Sequence, residues 1–152
     1  MRITKSDVIQ TAADIADKNG LSNVSLKAVA ESLNIRTPSL YNHIDNLEAL
    51  LREIAHNGMK TMNERMMQAA IGKIGDDAIK SVGITYLNYM IEHPGIYETI
   101  QWATWHGTEE TGKIFDNYLS LLKTLALSCN FNPMNIDEIL NLLTGVLHGY
   151  TT

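Results

Sequence analysis

The chain is expected to fold entirely as α-helices, and three observations carry that expectation. Apolar residues recur at three- and four-residue intervals along most of its length, the period that lines one face of a helix. Helix signals punctuate those stretches, with Ser, Thr, Asp or Asn ahead of them and Gly, Asn or Pro behind. No run alternates apolar and polar residues as a half-buried strand does. At 152 residues and 45% hydrophobic content, the chain can close one core, or a small domain joined to a modest second one.

The elements follow in order. Thr4 can cap a first helix with Asp7 three residues on, a capping box with Asp in place of Glu; Val8, Ala12, Ile15 and Ala16 share its face, and Asn19-Gly20 ends it. Ser25 can cap a short second helix in which Val29, Ala30 and Leu33 point inward, and Asn34 stands where a left-handed residue would turn the chain. The third helix is expected at once, with Thr37 as cap and Pro38 at its first position, where a missing N–H costs nothing, running to about His43. Asn46 can cap a long fourth helix that carries Leu50, Ile54, Met59, Met62 and Met66 at helical intervals. A fifth begins at Asp76 and Asp77, acids suited to a positive helix N-terminus, and stops at "HPG". Pro94 opens a sixth, Gly107 interrupts, and a seventh runs from about Glu109 to Cys129 with Ile114, Tyr118, Leu121, Leu122 and Leu125 on one side. After "NFNPMN", an eighth carries Ile139, Leu143, Val146 and Leu147.

Composition narrows the function. The lone cysteine, Cys129, cannot build an intrachain disulfide framework, and the N-terminus lacks a secretion signal, so a reducing cytoplasm is expected. No stretch approaches the roughly 18 consecutive apolar residues of a membrane span. Seventeen acids against twelve Lys and Arg give a net charge of −5, which speaks against general attraction to a polyanion but leaves room for a local site. The N-terminal third is near neutral, with Arg2, Lys5, Lys18, Lys27, Arg36 and Arg52 against seven acids.

Two short helices joined by a tight turn, the second beginning in polar groups, form the helix-turn-helix arrangement that offers side chains to a DNA major groove. Here Val29, Ala30, Leu33, Ile35 and Leu40 are the apolar scaffold, while Lys27, Arg36, Thr37, Ser39, Tyr41, Asn42 and His43 lie off that face. Asn pairs bidentately with adenine, Ser or Thr meets base edges or phosphate, and Tyr and His hold phosphate oxygens. The stretch "VSLKAVAESLNIRTPSLYNHIDNLEAL" resembles the helix-turn-helix of the TetR family of one-component transcriptional regulators, over roughly residues 5 to 55. The resemblance implies that Ser25 and Lys27 lie at the start of the supporting helix near phosphate and bases. Pro38, Ser39 and Asn42 would face the groove, and Tyr41 and His43 would grip the backbone. Many members place a phosphate-reaching lysine near the start of the next helix, where this chain has Leu47; the helix N-terminus itself would compensate.

The fold class implied is all-α, an N-terminal three-helix helix-turn-helix DNA-binding domain over residues 1–46 and a helical effector-binding and dimerisation domain over 47–152. "EHPGIY" and "TGVLHGY" resemble a subgroup whose C-terminal domain is named WHG; His148 and Gly149 supply the His-Gly, while the tryptophan usual a few residues earlier is missing. His148 is expected at a helix–helix dimer interface that Gly149 allows to close. Tyr86, Met90, Tyr97, Trp102, Trp105 and Phe115 are candidates to line an effector pocket, since such sites are mostly apolar and aromatic, although the same residue types at helical spacing also build cores. Regulators of this kind usually continue past the His-Gly helix, so either the sequence is an incomplete version or the interface is a shortened one.

His106, Glu109 and Glu110 fall at i, i+3 and i+4 and could share a helix face, but Gly107-Thr108 reads better as a helix start with two first-turn acids. No metal or cofactor is expected, and no catalytic residue: a phosphate loop, nucleophile elbow, HExxH and paired cysteines are all missing. The expectation is a cytoplasmic homodimeric regulator, most simply a repressor, that binds a palindromic double-stranded DNA operator and is released by a small apolar or aromatic effector. The alternative is a helical protein-interaction or metal- or ligand-binding protein without DNA binding.

Overall fold

The computed structural model describes residues 2–129 together with Glu138 and Asn141. Among them the structure is helical, without strands: α1 (Lys5–Asn19), a 3-10 turn (Leu21–Asn23), α2 (Leu26–Ser32), a 3-10 segment (Thr37–Asn42), α3 (Leu47–Ala70), α4 (Gly75–Glu92), α5 (Pro94–His106) and α6 (Glu109–Ser128). The expected eighth helix, with His148 and Gly149 near its end, lies outside the described residues.

Local chemistry accounts for most of these boundaries. At the head of α1 the Asp7 N–H donates to the Thr4 hydroxyl at 3.2 Å and the Thr4 N–H donates to the Asp7 carboxylate at 2.8 Å, a closed capping box. Gly20 ends the helix at φ 90°, a value that L side chains resist. The Ser25 hydroxyl accepts the Ala28 N–H at 3.0 Å to start α2, and Asn34 turns the chain at φ 55°, with the Ile35 N–H returning to the Ala30 carbonyl. Asn46 caps α3 by accepting the Ala49 N–H at 2.8 Å.

The third element differs from its expected form. Thr37 does not cap an α-helix: Arg36 is the extended residue ahead of the element, no side chain caps it, and Thr37 is its first residue. Ser39 N–H donates to the Arg36 carbonyl and His43 N–H to Leu40, both at 2.9 Å, the i→i+3 pattern of a 3-10 segment. Six residues are too few for α-helical bonding to establish itself against two flanking turns.

The described chain packs as two compact units. The first comprises Met1–Gly58 with Glu92–Thr111, the second Met59–Ile91 with Gly112–Thr152. In the first unit Val8, Ala12 and Ala16 of α1, Val29 of α2, Leu40, and Leu50 and Ile54 of α3 are buried. The α5 helix belongs to this unit and lies directly on α1: a Cβ built on Gly95 would run into the backbone of Ala16 and Asp17. Asp17 crosses from α1 to accept the Ile96 N–H at 2.9 Å and to meet His93 Nδ1 at 2.7 Å. It thereby caps the N-terminus of α5, which has no capping bond from the His93 side chain.

In the second unit Met59, Met62 and Met66 of α3, Tyr86, Tyr89 and Met90 of α4, and Ile114, Tyr118 and Leu122 of α6 are buried. Their packing includes Tyr118 between Tyr86 and Phe115, with ring centroids at 6.4 and 5.7 Å. The Arg65 guanidinium stands 5.1 Å from the Tyr89 ring centroid, a cation–π contact.

Candidate nucleic-acid interface

Leu40 is fully buried and anchors the 3-10 segment to the unit that holds Val29 and Ala30, both buried on α2. Fixing that one side chain decides where its neighbours go. Pro38, Ser39, Tyr41 and Asn42 are exposed, Arg36 just ahead of them is exposed, and Thr37 and His43 are half-buried. Tyr41 is 57% exposed, far from the burial of a tyrosine used as core. A continuous stretch from Arg36 to Asn42 therefore presents a guanidinium, hydroxyls, a phenol and an amide above an apolar support.

The supporting helix contributes two residues with different duties. Ser25 is half-buried and its oxygen already accepts from Ala28, so its first role is to hold α2 in place. Lys27 is exposed, and its 3.9 Å approach to Glu31 is a solvated i,i+4 pair of little strength, leaving the ammonium able to turn toward a phosphate. The start of α1 joins the same region electrostatically. The Thr4 backbone N–H, then the Thr4 hydroxyl, hold the Asp7 carboxyl below its usual range, and the charge of His43 adds to the effect. Lys5 meets Glu53 at 3.2 Å, tying α1 to α3.

The six aromatic and Met candidates divide between the two units. Tyr86 and Phe115 meet through Tyr118, and Met90 is buried in the same unit. Tyr97 is buried in the first unit; Trp102 is half-buried and stacks on His106 at 4.6 Å, while Trp105 is 87% exposed. Glu110 lies near a different imidazole from the one its spacing suggests. His56, buried on α3, meets the Thr111 hydroxyl at 2.6 Å, with Nδ1 3.8 Å from Glu110. Among the described residues no group of three or more His, Cys, Asp or Glu could hold a metal ion.

An open groove of about 640 Å³ runs along the second unit between α3 and α6, with Asn63, Met67, Ile114, Asn117 and Leu121 in its walls. None of the six candidates lines it. One of its polar members was legible in principle: Asn63 follows Met59 by four residues and precedes Met66 by three, an amide at the helical interval of a methionine face.

Two short elements joined by a left-handed turn, the second carrying exposed polar side chains over a buried leucine, define a helix-turn-helix DNA-binding protein. The comparisons agree in fold and in sequence. YobS, an uncharacterised helix-turn-helix-type transcriptional regulator of Bacillus subtilis, is 38% identical over 150 residues, 98% of this chain and 78% of that protein. A TetR-family regulatory protein from Rhodococcus RHA1 superposes with a TM-score of 0.80 at 15% identity, covering 99% of this chain and 84% of its own. BioQ, solved with its double-stranded DNA operator, gives 0.72 at 18% identity, covering 99% and 86%. No protein-family model matches. The chain belongs to the helix-turn-helix-type transcriptional regulators, and its fold is that of TetR-family regulators.

Proposed function

We propose that the protein is a cytoplasmic repressor that holds a palindromic operator as a homodimer and releases it when a small apolar or aromatic effector binds. Residues 1–46 read the DNA and 47–152 sense and dimerise; no catalytic step is involved. The observation that carries the reading is the exposed stretch Arg36–Asn42 above the buried Leu40. Ser39 and Asn42 are the groove-facing groups, Tyr41 and His43 the backbone clamps, and Lys27 a phosphate contact. Tyr86, Met90 and Phe115, with Tyr97, Trp102 and Trp105, are the starting set for effector contacts.

In a dimer the two reading surfaces must sit roughly 34–36 Å apart, one DNA turn, or a multiple of it. An effector that prefers the conformation with the wrong spacing lowers occupancy of the operator by its differential affinity for the two states. Selection of bound sites from random duplex DNA at low salt tests the reading. Enrichment of one palindrome, lost with Tyr41→Ala combined with Asn42→Ala, is expected; recovery of unrelated sequences would sink it.

A further inference from the structure

Glu98, exposed on α5, meets the backbone of a turn far from it in sequence. The 3-10 turn Leu21–Asn23 joins α1 to α2, and the N–H groups that open such a turn have no partner within it. The residue ahead of it is Gly20, at φ 90°, which has no side chain to cap them. The Glu98 carboxylate supplies the missing acceptor and takes the Leu21 N–H at 3.1 Å. Leu21 in turn accepts the Val24 N–H at 3.0 Å, and the next residue, Ser25, caps α2. A short, bonded path thus runs from Glu98 to the start of the helix that carries Lys27. Glu98 is itself held in place, because Asp17 caps α5 through the Ile96 N–H at 2.9 Å and Gly95 brings the two backbones together. The exchange is reciprocal: α1 caps α5 with Asp17, and α5 caps the turn after α1 with Glu98.

We infer that Glu98 is a positioning residue for DNA reading: it fixes the turn from which α2 starts, and so the place at which Lys27 and the Arg36–Asn42 stretch are offered. The α2 helix passes the constraint on, since the Ile35 N–H returns to its Ala30 carbonyl just ahead of that stretch. That this raises operator affinity rests on the repressor reading above; the hold on α2 does not. Charge gives the inference a sign. Glu98 is one of the acids that oppose a polyanion, so neutralising a Glu98 without a positioning role could only leave DNA binding unchanged or tighten it. Positioning sets alanine apart from glutamine, because both lose the charge while glutamine keeps a carbonyl oxygen for the Leu21 N–H.

Glu98→Ala and Glu98→Gln in the whole protein are therefore the matched pair, and both residues suit a helix, so both variants are expected to fold. Backbone amide exchange, resolved by residue, judges the hold on α2 without DNA. Glu98→Ala is expected to speed exchange about fivefold at Val24, Ala28 and Val29, the loss of one hydrogen bond, while Glu98→Gln stays within about twofold of the unaltered protein. The amides of α4 should not change in either. Unchanged exchange at those three residues in Glu98→Ala, the same acceleration throughout the chain, or equal acceleration in Glu98→Gln overturns the hold. Operator affinity is then measured with a selected duplex, each variant's concentration corrected for its active fraction by stoichiometric titration. Glu98→Ala is expected to bind about fivefold more weakly than Glu98→Gln, and Glu98→Gln at least as tightly as the unaltered protein. Equal binding by the two variants, or tighter binding by Glu98→Ala, overturns the role in reading. A protein that selects no operator fails the repressor reading alone, since the exchange rates still judge the hold on α2.

Discussion

Asp7 shows how one side chain fixes the start of a helix. Its carboxylate accepts the Thr4 N–H and hydroxyl, which hold its pKa down, and His43 lies within electrostatic reach. A carboxyl whose folded pKa is depressed stabilises the fold above its unfolded value, roughly 3.9, and that contribution disappears as pH falls through the folded value. Asp7→Asn is therefore expected to melt below the unaltered protein at pH 7, with the gap closing below about pH 4. Melting curves from pH 7 to pH 2 check this, and a gap that persists at the acid end would mean that packing, not charge, holds the cap. Tyr41 and Asn42 belong to the opposite category, exposed and without a part in the core. Each change to alanine should alter stability by no more than about 0.5 kcal/mol. Operator affinity should fall about tenfold for Asn42→Ala, the loss of a bidentate base contact of roughly 1–3 kcal/mol. Gel-shift titrations beside urea melts separate the two effects.

At the scale of elements, local chemistry made most boundaries readable. Thr4, Ser25 and Asn46 cap the helices their spacing indicates, Asn34 is left-handed where a turn is needed, and Pro94 opens α5. Thr37 misled because a cap-like residue before proline also suits the first position of a 3-10 segment, and the choice depends on how many residues follow. Long-range partners left no periodic trace. Nothing in "ADIADKN" marks Asp17 as the cap of a helix that starts 77 residues later, nor marks α5 as a companion of α1. Gly95 is the physical reason those helices can meet, because a side chain there collides with backbone, which cannot swing aside. Gly112 also lies within a helix, yet a Cβ there meets nothing within 4 Å. Gly95→Ala is expected to cost several kcal/mol, as overpacking against backbone does, or to prevent folding, whereas Gly112→Ala should gain roughly 0.5–1 kcal/mol from helix propensity alone. Denaturant unfolding of the pair measures the contrast, and a small effect at Gly95 would mean that α1 and α5 can separate cheaply.

For the whole molecule the decisive quantity is charge. A net charge of −5 on each chain works against a polyanion, so the DNA contact must be carried by a few local groups instead of a general field. On the proposed reading surface the candidates are Lys27 and Arg36, both exposed, with uncharged donors from Ser39, Tyr41 and Asn42. Leu47, half-buried at the first position of α3, adds no cation. For an operator held by two chains, about four phosphates would be neutralised, and the slope of log affinity against log salt should be near −0.9 per phosphate, about −4 in all. Lys27→Ala, present in both chains, should bring that slope toward about −2 and weaken all duplexes alike, because a phosphate contact carries no sequence information. Asn42→Ala should leave the slope unchanged and narrow the gap between operator and unrelated DNA, because its loss falls on base readout. Fluorescence anisotropy at several salt concentrations, with operator and scrambled duplexes, gives both numbers from one set of titrations. A slope near −8, or equal effects of the two substitutions on the operator-to-scrambled ratio, would contradict a protein that finds its site by fit while its own charge opposes the approach.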